Sequence, residues 1–121
     1  MHLLHVSMII SDLTKSADFY ENILGLEPDL RPDLGFTGLF YKLGGNQQLH
    51  LMCVHNPYQD CQAPKHGGRD RHIALAVGDL QQSCEKMDQS AIPYTLSRSG
   101  RRALFCHDPD GNVVELCEVN S

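Results

Sequence analysis

Several things are missing from this 121-residue chain, and each absence removes a class of function. It has no run of lysines or arginines and carries a formal charge of −5, which excludes the basic surface that nucleic acid or an anionic membrane requires. It has no apolar stretch near the ~18 residues of a membrane span and no charged start leading into one, so a soluble, unprocessed protein is expected. It has no CxxC pair. Its five cysteines (Cys53, Cys61, Cys84, Cys106, Cys117) are odd in number and mostly set in apolar runs, and they read as buried thiols of a reducing compartment, the cytoplasm. A small-molecule or protein partner remains. At this length the chain is one domain, residues 1–121, with room for a core but little for enclosing a substrate, so a second chain is expected to help form any sizeable pocket.

What is present is a repeat. HVSMIISDLTKS (residues 5 to 16) returns as HIALAVGDLQQS (72 to 83), an offset of 67 that pairs His5 with His72, Ile10 with Val77, Asp12 with Asp79 and Ser16 with Ser83. Each copy runs from apolar residues into an Asp suited to cap a helix. The first helix carries Leu13, Ala17, Tyr20 and Leu24 at helical spacing and stops at Gly25; the second ends near Ile92-Pro93. Further on, LFYKLGGNQQLHLMCV (39 to 54) lies over LFCHDPDGNVVELCEV (104 to 119) at an offset of 65, and both read as hairpins turning at Gly-Asn. The expected fold is α+β, two βαβββ modules of about 1–55 and 71–121 with middle strands in 29 to 37 and 94 to 100. The Pro- and Gly-rich segment at about 56–70 links them, and connections of that length often cover a site.

The symmetry singles out four positions. His5 and His72 open the first strand of each half, and His50 and Glu115 stand at matched places in the last. Alternation puts His5 with Ser7 and Ile9, His72 with Ala74 and Ala76, His50 with Gln48 and Met52, and Glu115 with Val113 and Cys117. The opposite faces, with Val6, Met8, Ile10, Ile73, Leu75, Val77, Leu49, Leu51, Val114 and Leu116, are a helix-packing surface. A lone strand-end histidine is more often a hydrogen-bonded structural residue, but four ligand-type residues at symmetric places are satisfied together by one divalent ion, whereas unpaired burial is costly. Gln48, on the face of His50, is a candidate to support that ligand. His66 and His107 are candidates for the pocket mouth.

These openings, together with FCHDPDGNVVEL, resemble the vicinal oxygen chelate superfamily of glyoxalase I, bleomycin- and fosfomycin-resistance proteins, methylmalonyl-CoA epimerase and extradiol dioxygenases. The resemblance spans nearly the whole chain except residues 55 to 71. It implies curved, mostly antiparallel sheets with flanking helices forming a half-barrel around one metal, usually in a homodimer, with His5, His50, His72 and Glu115 as ligands. Three histidines and a carboxylate suit Fe, Mn, Ni, Co or Zn rather than Mg or Ca. The chemistry implied is that of a metal-dependent lyase or isomerase on a small oxygenated substrate bound bidentately, with enediolate stabilisation and Glu115 as the proton-transferring catalytic base.

Departures narrow the choice. His50 stands where glyoxalase I commonly has a carboxylate, and Ile9 and Val54 occupy the usual glutathione-binding Arg and Asn places, so lactoylglutathione lyase activity is not expected. Phe105 replaces the tyrosine of extradiol dioxygenases, which leaves an Fe(II) dioxygenase as the first alternative. A non-catalytic, bleomycin-resistance-like binding protein is the second, although such proteins typically lose the ligand positions. Arg69, Arg71, Arg98, Arg101 and Arg102 are candidates to hold a carboxylate or phosphate.

Overall fold

The computed structural model describes residues 1–120. The chain divides into two compact units, Met1–Asp60 and Cys61–Ser121, so the break falls inside the long connection. In the first, β1 (His5–Ile10) leads to α1 (Leu13–Ala17), a π-helical stretch Asp18–Ile23, β2 (Glu27–Asp29), β3 (Gly38–Gly44) and β4 (Gln47–Cys53). The second repeats the order with β5 (His72–Val77), α2 (Leu80–Gln89), β6 (Tyr94–Leu96), β7 (Ala103–His107) and β8 (Val113–Glu118), preceded by one 3-10 turn, Gly67–Arg69.

Each unit builds one four-stranded sheet, ordered β1-β4-β3-β2 and β5-β8-β7-β6. The hairpins β3–β4 and β7–β8 are antiparallel, and the first strand of each unit returns beside the last in parallel. A parallel neighbour needs a crossover, and the helix and the middle strands supply it. The α+β reading of two βαβββ modules therefore holds.

The caps stand where the sequence puts them. Asp12 accepts from the Lys15 N–H at 3.0 Å and Asp79 from the Gln82 N–H at 3.3 Å. Gly25 adopts φ +76 at the end of the first helix, and the Leu26 N–H reaches back to the Tyr20 carbonyl. The β7–β8 turn is clamped by buried Asp108, whose carboxylate accepts from the backbone N–H groups of Asp110 and Asn112 and from the Asn112 side chain.

Three expectations change. The first helix does not keep a 3.6-residue period: beyond Ala17 it widens, and the Leu24 N–H bonds the carbonyl five residues back, on Phe19. Ser16, Phe19 and Tyr20 are the buried positions, and Leu13, Ala17 and Leu24 are only half-buried. The middle strands are short, Glu27–Asp29 and Tyr94–Leu96, because Pro32, Asp33 and Gly35 (φ +83) break up the first and the serines and Gly100 the second. Of the cysteines only Cys106 is buried; Cys53, Cys84 and Cys117 are half-buried, Cys61 is exposed, and all are free thiols.

The core lies on the apolar faces. In the second unit α2 packs on β7 and β8, burying Leu80 and Met87 alongside Leu104, Val114 and Leu116; in the first α1 packs on β3, and Phe19 and Tyr20 of the π-helical stretch are buried, as are Tyr41, Leu49 and Leu51. Each such side chain contributes roughly 1.5–3 kcal/mol. The Tyr41 hydroxyl keeps a partner by donating to Glu21 at 2.8 Å, and burial together with that carboxylate raises its pKa. No helix among the described residues is long and apolar enough to cross a membrane.

Candidate metal centre

Strand register creates the pairs. Ser7 lies opposite His50 and His5 opposite Gln48, so His5 and His50 are diagonal neighbours on one face of the β1–β4 ladder. Ala74 lies opposite Glu115 and His72 opposite Val113, which repeats the relation in β5–β8. Across each hairpin a phenylalanine faces the matched position, Phe40 opposite His50 and Phe105 opposite Glu115. The structure thus brings the four residues together two by two. Among the described residues no group of three or more His, Cys, Asp or Glu side chains is placed to hold an ion.

The second pair has the geometry of a chelate. His72 Nε2 is 3.4 Å from Glu115 Oε1, and two donors about 2.0–2.2 Å from a single ion stand roughly 3.0–3.4 Å apart. His72 Nδ1 lies 2.7 Å from the Asp70 carbonyl, an acceptor only, so Nδ1 carries a proton and Nε2 is the nitrogen turned toward Glu115. Glu115 is 2% exposed, and its Oε2 is buried without a hydrogen bond. Arg101 Nη2 comes within 3.3 Å of both carboxylate oxygens, but only its approach to Oε1 has hydrogen-bond geometry. A buried carboxylate oxygen with an open lone pair beside a bare imidazole nitrogen suits a divalent cation.

The first pair fits in donor type but is held differently. The His50 ring stacks on Phe40 at 3.6 Å between centroids and 3° between planes, and on His5 at 4.1 Å and 14°. Arg31 sits over Phe40 and Phe36 and donates to the Phe36 carbonyl. Gln48 accepts from His50 Nε2 at 2.8 Å while its own amide donates to Asp29 at 2.8 Å, and this bond, with the Leu30 N–H, holds the Asp29 carboxyl below its usual range. Burial, then His5 and Arg31, lower the His50 pKa and favour the neutral imidazole that a metal requires. Two parallel rings cannot share an ion that lies in the plane of each. As placed, exposed His5 and Gln48-bound His50 do not aim their nitrogens at one point.

The arginine cluster of the sequence is not one site. Arg102 pairs with Glu118 at 2.7 Å and Arg101 with Glu115, which leaves Arg69 and Arg98 apart from them. His66 lies edge-on to Phe105 at 5.3 Å, and His72 does so at 5.4 Å, whereas His107 is exposed at the end of β7. Sequence reasoning passed over Phe40 and Arg31, for which stacking gives no sequence signal. It also passed over the grip of Arg101 on Glu115, although the Phe40/Phe105 match was visible at the offset of 65.

Comparison with known proteins adds to this geometry. Residues 2–116 match the family described as the Glyoxalase/Bleomycin resistance protein/Dioxygenase superfamily. Glyoxylase I 4 of Arabidopsis thaliana is 30% identical over 97% of this chain and 70% of its own length. A lactoylglutathione lyase of Neisseria meningitidis is 29% identical over 100% of this chain and 93% of its own. Among solved structures, the trypanothione-dependent glyoxalase I of Leishmania major superposes with a TM-score of 0.75 at 25% identity, covering 98% of this chain and 86% of that one.

Proposed function

This chain belongs to the Glyoxalase/Bleomycin resistance protein/Dioxygenase superfamily, and from that premise we propose that it is a metal-dependent lyase or isomerase acting on a small oxygenated substrate. The observation that carries the reading is the His72–Glu115 pair, a bare imidazole nitrogen 3.4 Å from the oxygen of a buried carboxylate. His5, His50, His72 and Glu115 would hold the ion, and a bound Fe, Mn, Ni, Co or Zn ion would polarise the carbonyl of a substrate that reaches it through two oxygens.

The chain's own residues do the rest. Glu115 Oε2, which has no hydrogen bond in the structure, takes the proton from the carbon next to the carbonyl and returns it to the neighbouring atom. The Asp70 carbonyl keeps the His72 ring in the orientation that leaves Nε2 free. Phe105, buried across the hairpin from Glu115, excludes water from the base. A homodimer belongs to this reading: Ser7 of β1 and Ala74 and Ala76 of β5 are exposed in a single chain, and they flank the ligand pairs. The free thiols fit a cytoplasmic protein.

Ile9 and Val54 at the usual glutathione positions favour a substrate other than the lactoylglutathione hemithioacetal. A second reading, a small-molecule binding protein without metal, is favoured by the His5–His50–Phe40 stack, which is not a ligating arrangement. A third, an Fe(II) dioxygenase, lacks the tyrosine that Phe105 replaces. Metal analysis of protein purified without chelator separates them. The enzyme reading expects about one transition metal per four-donor set, lost in His5→Ala and Glu115→Ala. Wild-type protein that neither retains nor takes up Ni, Zn, Mn, Fe or Co sinks it in favour of the binding protein, and oxygen uptake with catechols would promote the dioxygenase.

A further inference from the structure

The second unit contains an open cavity of about 400 Å³ lined by Pro64, Lys65, His66, Arg69, Thr95 and Arg98. That volume is in the range of small-molecule sites. Its lining has three cations and no acid, in a chain whose formal charge is −5. Among the described residues, Arg31, Lys42, Arg101 and Arg102 are engaged by carbonyl, aromatic or carboxylate partners, whereas Lys65, Arg69 and Arg98 are in no ion pair. Three uncompensated like charges around one hollow repel one another, and a doubly charged oxyanion relieves that repulsion better than a single carboxylate does.

The wall that carries these cations is built rather than loose. Gly67 is buried against β7 and β8, and a Cβ there would come within 2.8 Å of Val113 Cγ1 and 2.9 Å of Phe105 Cβ, so only glycine lets the turn press this close. His66 Nδ1 accepts from the Gly68 N–H at 2.9 Å, which fixes the ring at the start of the Gly67–Arg69 turn. The Phe105 ring has His66 at one edge contact and His72 at another. A single phenyl ring therefore separates the cavity wall from the candidate metal ligand.

We propose that this cavity binds a phosphate group, through Lys65, Arg69 and Arg98, and that the substrate carries that group as its anchor. The anion site stands on the cavity alone, and its role as a substrate anchor rests on the metalloenzyme reading. Inorganic phosphate and acetate are titrated into chelator-treated protein by calorimetry and by amide-shift NMR, at about 20 and 150 mM salt. Phosphate should bind saturably, weaken as salt rises, and lose at least fivefold in affinity in Arg98→Gln and in Arg69→Gln, with thermal unfolding unchanged. His5→Ala should leave binding as it is, and since no metal is present a failure of the metal reading does not affect this result. Absence of saturation, wild-type affinity in the two arginine variants, or acetate binding as tightly as phosphate overturns the proposal.

Discussion

Removing Arg101 should destabilise the metal-free protein and tighten its grip on a metal, two effects of opposite sign from one side chain. Arg101 Nη2 is 3.3 Å from the oxygens of Glu115, which is 2% exposed, while the Arg101 side chain is 55% exposed. At that distance unit charges attract by about 5 kcal/mol in a medium of effective dielectric ~20. Water around the guanidinium screens most of this, so Arg101→Ala should cost about 1–2 kcal/mol, above the value of a surface pair and below that of a buried one. Thermal unfolding should then fall by about 4 °C per kcal/mol for a domain of this size. An ion that takes Glu115 must displace Arg101, so the variant should bind nickel or zinc more tightly, about fivefold for each 1 kcal/mol no longer given up. Calorimetric metal titration and unfolding with and without the ion read both quantities, and Arg101→Lys, which restores a positive charge, should return both part of the way. A folded Arg101→Ala protein that binds nickel no more tightly than wild type would refute the competition between guanidinium and ion.

Two further predictions concern the scaffold. Ala91 holds φ 55 just beyond the end of α2, a left-handed conformation that a Cβ disfavours. Ala91→Gly should raise stability by about 0.5–1 kcal/mol after the entropy of the unfolded glycine is deducted, measured by urea unfolding; a loss would contradict it. Glu118 is held below its ordinary carboxylate range by the Arg102 guanidinium and then by the Leu80 N–H. Its contribution is fully present above the unfolded carboxylate value and lost as pH falls through the lower folded one, so stability measured from about pH 5 to 2 should fall more steeply in wild type than in Arg102→Ala.

Much of the architecture was legible in the sequence because it rests on local chemistry. Asp12 and Asp79 cap helices whichever sheet lies beneath them, Gly25 ends the first helix because its backbone turns left-handed, and strand alternation already put His5 with Ser7 and Glu115 with Val113. The internal repeat turned those local signals into a doubled fold, since two stretches with the same pattern build the same unit. Family membership followed from the same residues. The middle strands were overestimated because the repeated module order calls for a strand in 29 to 37 and 94 to 100 but says nothing of how far a partner edge stays near enough to pair.

The sequence by itself determined which donors exist and on which strand faces they stand, because a period of two and a set of caps are properties of the chain. Tertiary structure alone decided what each donor touches. Register slid Phe40 over His50 and brought Arg101 to Glu115, packing on the sheet buried Ser16 and Phe19, and a glycine too tight for any Cβ pressed the 66–69 turn onto Phe105. Those contacts join residues far apart in the chain, where side-chain size and packing set the geometry and no sequence period records it.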